Sequence, residues 1–113
     1  MNFNYDAFIA EFNKVAKLCF DQSATSGFWD EERNNGECIA LMHSELSEAL
    51  EGLRHGNPAS EHIPAFSAVE EELADLIIRL MDLAYGRNWD IAKAMQAKME
   101  FNKTRQHKHG KTF

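Results

Sequence analysis

The sequence predicts an all-α protein, a four-helix bundle-like subunit, on three observations. Apolar residues recur three or four apart in four separate stretches, the spacing of one helical face. Both prolines fall between positions 58 and 64, leaving long uninterrupted segments on either side. Short polar breaks carrying Gly, Pro, Asn or Asp separate the four stretches, as turns between packed helices require.

The first helix is expected over 5–21. Asn4 is its N-cap, and Tyr5, Phe8, Ile9, Phe12, Val15, Ala16, Cys19 and Phe20 form its stripe. The segment DQSATSGFWDEERNNGE then breaks the pattern and reads as a loop carrying Phe28 and Trp29. A second helix over 35–55 has Ile39, Met42, Leu46, Ala49, Leu50 and Leu53 as its expected buried stripe, and Gly56 and Pro58 stop it. The third, over 65–85, is apolar around much of its circumference. Phe66, Val69, Leu73, Leu76, Ile77, Leu80 and Ala84 line one face, with Ala74, Ile78, Met81 and Tyr85 beside it. Only Glu72, Asp75, Arg79 and Asp82 form a polar strip, so this helix is expected to serve a subunit interface as well as a core. The fourth helix, over 91–105, follows Asp90 as N-cap and carries Ile91, Ala94, Met95 and Met99.

At 113 residues the chain reads as one domain, 1–113. No apolar run approaches a membrane span, and the N-terminus lacks the basic and apolar regions of a signal peptide. Cys19 and Cys38 read as buried free thiols, which fits a cytoplasmic protein. The net charge is −6, but five Lys or Arg against one acid follow from position 98 onward. An acidic body argues against nucleic-acid binding.

Two carboxylate pairs carry the chemistry. Glu45 and Glu48 are three apart on the second helix, and Glu72 and Asp75 repeat that spacing on the third. Such pairs share a helix face. The 23 residues between Glu48 and Glu72 allow the two helices to pack antiparallel, so that both pairs face one groove. Four carboxylates there repel without a cation, and hard oxygen ligands suit Mg²⁺ or Mn²⁺. A solvated surface pair is the plainer reading of each motif taken singly. On the fourth helix Lys98, Asn102 and Arg105 share a face that continues the Ile91–Met95 stripe. They are expected to point toward the groove and to hold phosphate or sugar. Helix-end charge preference is the competing account of the same residues.

These residues resemble the MazG-like family of all-α nucleoside triphosphate pyrophosphohydrolases. The family pattern is ExxE, a gap, ExxD, then a helix bearing Lys, Asn and Arg. Here those are Glu45, Glu48, Glu72 and Asp75, then Lys98, Asn102 and Arg105, with KHGKTF closing the chain. The resemblance runs from about Gly27 to the C-terminus. It implies a Mg²⁺-dependent homodimer or homotetramer that cleaves a (deoxy)nucleoside triphosphate between its α- and β-phosphates, releasing a monophosphate and pyrophosphate, as in cleansing of a nucleotide pool. Glu45, Glu48, Glu72 and Asp75 would hold metal, with Glu45 or Glu48 orienting water. Lys98, Asn102 and Arg105 would hold substrate.

Trp29 is a candidate for stacking on the base, although a loop Trp closing over the core is the plainer reading. His43 reads as packed at a helix edge, and the remaining histidines lack zinc-ligand spacing. A redox di-metal bundle would need Glu-x-x-His, and the histidines are missing. The non-enzymatic alternative is a helical interaction module whose acidic strips are merely solvated.

Overall fold

The computed structural model describes residues 2–105 and 107–113. Within them lie four helices, α1 (Tyr5–Thr25), α2 (Asn35–Arg54), α3 (Ala68–Arg87) and α4 (Ile91–Asn102), and a single 3-10 turn at His107–Gly110. Asn4, Asn34, Ser67 and Asp90 cap the four N-termini, each side chain accepting a backbone N–H of the first turn. The all-α, four-helix class expected of the sequence is the observed one.

The boundaries differ in instructive places. α1 runs on to Thr25 because nothing in Gln22–Thr25 stops a helix. The first residue that does is Gly27, at φ 94°. α3 begins at Ala68, later than expected, because Ser67 and Glu70 form a reciprocal capping box. Asn57, itself left-handed at φ 51°, adds a side-chain bond to the Val69 N–H at 2.9 Å. α4 ends at Asn102, and α2 ends at Arg54 with His55 as its cap.

α2 and α3 pack antiparallel. Met42 meets Leu83 at one end, Glu45 meets Arg79 in the middle, and Gly52 abuts Ala68 at the other end. α1 lies along α3, with Phe20 and Tyr85 ring centroids 5.1 Å apart, and α4 packs on α1. The central cluster is small: Cys38, Met42 and Leu83, with Trp29, Leu76 and Leu80 against it.

The buried line of α2 is Cys38, Met42, Glu45 and Ala49. This corrects the expected stripe, because Ile39, Leu46, Leu50 and Leu53 face outward, with Leu50 50% and Leu53 55% exposed. The helix is turned so that the small residues Ala49 and Gly52 meet α3 and Glu45 enters the seam. α3 is turned likewise. Asp82 is buried, whereas Leu73 and Ile77 are exposed. Residues are about 100° apart around a helix, which puts Leu46, Leu50 and Leu53 on the flank of α2 opposite Glu48. On α3 the same geometry puts Leu73 and Ile77 opposite Asp75. Antiparallel packing aligns matching flanks, so the seam has one acidic side and one apolar side.

The loop after α1 is tied to α3 through Trp29. Its indole N–H donates to Asp82 Oδ1 at 2.8 Å, and Arg33 donates to Oδ2 at 3.1 Å. The Arg33 and Arg87 guanidiniums lie 4.9 and 5.5 Å from the indole centroid. The ring rests on Gly86, where a Cβ would lie within the van der Waals envelope of Cη2. Alanine for glycine inside a helix ordinarily gains about 1 kcal/mol. Here the pinned ring cannot retreat, and overpacking costs about 1–3 kcal/mol. Gly86→Ala is therefore expected to lower the urea midpoint. A midpoint that rises would show that the indole is not held in place.

Candidate metal centre

The close approach at Gly52 and Ala68 sets the two helices so that their carboxylates meet. A Cβ on Gly52 would sit 3.2 Å from the Ala68 Cβ, tighter than normal packing allows. One turn from that contact lies Glu48, and two turns away Glu45. From α3 come Glu72 and Asp75, again one turn apart. Glu45, Glu72 and Asp75 each place an oxygen so that all three lie within 4.8 Å of one another. Glu48 is the exposed member of the four, and its carboxylate reaches Glu72.

Burial makes this cluster demanding. The Glu45 side chain is only 8% exposed, and its Oε1 accepts from Arg79 Nε at 3.0 Å. Its Oε2 is buried and, among the described residues, receives no donor from backbone or basic side chain. A proton shared with a neighbouring carboxyl, a water or a cation would satisfy it. Burial, then hydrogen bonding to Glu45 and Glu48 and their charges, pushes the Glu72 carboxyl up to about 8. Asp75 is also raised, by burial first and then by Glu45 and Glu71, with Arg79 opposing. The donor set is all carboxylate oxygen, which fits a hard divalent cation such as Mg²⁺ or Mn²⁺.

The structure brings the four predicted carboxylates together, but not the predicted basic group. Lys98 and Arg105 are exposed and gathered round the Phe101 ring, at 4.7 and 5.7 Å from its centroid. Among the described residues no ion pair joins them to the carboxylates. The reason is packing: Met95 and Met99 line a hollow with the α1-end aromatics Phe3, Tyr5 and Phe8, so α4 is drawn to α1. The expectation that Lys98 and Arg105 point into the groove thus finds no ion pair in its support among the described residues. Asn102 is partly buried, with an Oδ1 that has no partner among the described residues. Trp29, expected as a base-stacking candidate, has its ring committed to Asp82, Gly86 and the two arginines.

Sequence reasoning gave Arg79 and Asp82 no role beyond a polar strip, and gave Arg33 none. Their spacing was a usable signal for two of them, because Glu72, Asp75, Arg79 and Asp82 share one helix face. Arg33 carries no such signal. Asp75, Arg79 and Asp82 also form a wall of a cleft of about 270 Å³ beside the end of α1, closed by Gln22, Ser23, Ser26 and Arg33.

The pH dependence of stability follows from the raised carboxyls. In the unfolded chain Glu72 releases its proton near the usual glutamate value, whereas in the fold it keeps it to about 8. Between those limits the folded state binds more protons, so stability falls as pH rises through that window. Asp75 acts in the same direction. So does His62, raised by its hydrogen bond to Glu71, whose contribution fades as pH rises through and above the usual histidine range. Thermal melts in EDTA are expected to drop by several degrees from pH 5.5 to 8, with Glu72→Gln removing most of the slope and His62→Gln little of it. A flat profile would mean that the carboxyls do not share a buried proton. Comparison of the chain with protein-family models, with curated proteins and with solved structures gives no match, so the chemistry of this cluster is read from its own residues.

Proposed function

We propose that the protein is a Mg²⁺-dependent nucleoside triphosphate pyrophosphohydrolase of MazG-like type, with Mn²⁺ as an alternative ion. The observation that carries this reading is the convergence of Glu45, Glu72 and Asp75 oxygens within 4.8 Å, with Glu48 beside them and Glu45 Oε2 unmet. The order of motifs along the chain, ExxE, ExxD and then Lys98, Asn102 and Arg105, supports the substrate class.

In this reading Glu45, Glu48, Glu72 and Asp75 hold the ion, whose chemistry is to draw charge from phosphate oxygens and lower the pKa of a bound water. Cleavage between the α- and β-phosphates leaves the water oxygen on one product and the bridging oxygen on the other. Glu45 is clamped to Arg79, so Glu48, the exposed member, is the glutamate left free to orient or deprotonate the water. Lys98, Asn102 and Arg105 enter as phosphate or sugar ligands reached by the polyphosphate or brought by a second copy. The apolar flank of Leu46, Leu50, Leu53, Leu73 and Ile77 supports a homodimer or homotetramer, since a contiguous exposed patch of this kind marks an association surface. That flank also favours the second reading, a non-enzymatic helical interaction module. The module has no need of the converging carboxylates.

A panel of (deoxy)nucleoside triphosphates with Mg²⁺ is expected to yield monophosphate and pyrophosphate, with EDTA abolishing turnover. Glu48→Ala is expected to lose on the order of 100-fold or more in kcat, the scale of a general base or metal ligand. Absence of turnover together with no Mg²⁺ effect on melting would leave the interaction module standing. Leu50→Glu, measured by light scattering after size exclusion, is expected to shift an oligomeric wild type to monomer. An unchanged mass would place the interface elsewhere.

A further inference from the structure

We propose that Arg79 is the positioning residue of this metal centre, fixing Glu45 through one oxygen so that the other is presented to the cation. The inference rests on the metal reading above and concerns a residue outside the ExxE and ExxD pairs.

Three observations carry it. Arg79 bonds Glu45 through Nε, at 3.0 Å to Oε1. The remaining oxygen, Oε2, lies in a side chain 8% exposed and has no backbone or basic donor among the described residues, so its direction is set by what holds Oε1. Arg79 also sits one turn beyond Asp75 on α3, the helix that supplies two of the three converging oxygens. Glu45 is the one member of that trio from α2. Its clamp therefore ties the α2 ligand to the helix bearing the other two and fixes the trio as one rigid set. Hydrogen-bonded partners of this kind orient ligating carboxylates and set metal affinity.

The use of Nε gives a sharp test, because glutamine carries its amide nitrogen at the same number of bonds from Cα as arginine carries Nε. Arg79→Gln keeps an N–H at that place without the charge. Arg79→Lys keeps the charge and puts a methylene there. Mn²⁺ affinity would be measured by electron paramagnetic resonance of the free ion on the full chain, with circular dichroism and melting curves for each variant. Positioning predicts that Arg79→Gln stays within about threefold of wild type, while Arg79→Lys and Arg79→Met weaken binding by about 10–100-fold. The reverse order, with Lys retained and Gln lost, would make Arg79 a counter-charge and overturn the proposal. Equal or tighter binding by all three variants would overturn it as well, showing that the guanidinium is idle or competes with the ion. A wild type that binds no Mn²⁺ would instead remove the metal reading itself, and the clamp with it. Should Arg79→Met fail to fold, the Gln and Lys pair alone decides.

Discussion

The Glu45–Arg79 contact is the constraint around which the molecule is arranged. A carboxylate carried into a helix seam loses hydration worth several kcal/mol, and a partner must offset that loss. α3 supplies the partner from its own inward line of Glu72, Asp75, Arg79 and Asp82. The same line carries the second tight charge pair, Asp82 with Arg33, whose side chains are 9% and 14% exposed. Two ion pairs and a Trp hydrogen bond thus lie where a larger protein would place leucines. The apolar cluster is accordingly confined to Cys38, Met42 and Leu83 with their half-buried neighbours.

That arrangement explains where the displaced apolar residues went. A helix has room for one line in the seam, and α2 gives that line to Cys38, Met42, Glu45 and Ala49. Leu46, Leu50 and Leu53 are pushed to the flank, and α3 repeats the exchange with Leu73 and Ile77. The acidic and apolar flanks fall on opposite sides of one helix pair. Covering the apolar side with a second copy would therefore leave the carboxylates open to solvent and substrate. The acidic and apolar surfaces are separate, which follows from antiparallel packing and the ~100° step of the helix alone.

The helices were legible because caps and spacing are local. Asn4, Asn34, Ser67 and Asp90 announce each start through hydrogen bonds within one turn. The meeting of two carboxylate pairs was legible for a related reason, since it needs only two helices, a short turn and matching registers. What periodicity cannot supply is the rotation of a helix with two apolar lines. In α2 both Met42–Ala49 and Leu46–Leu53 have valid spacing, and the contact of Gly52 with Ala68 decides between them. The direction of α4 was likewise unreadable, because its methionines find their partners in aromatics more than 80 positions earlier. Trp29 and Arg33 belong to the same class. Their roles exist only once Asp82, about 50 residues onward, has been brought to them.

A proton and a cation are alternative solutions to one electrostatic problem at this site. The Glu72 carboxyl, held up to about 8, keeps a proton between Glu45 and Glu48 where a divalent ion would otherwise draw the oxygens together. An ion bound there would have to expel that proton, so its affinity would weaken toward acid. Arg79 meets Glu45 Oε1 and leaves Oε2 unmatched among the described residues. A guanidinium on one oxygen and an unpaired acceptor on the other leave a carboxylate that is oriented but not satisfied.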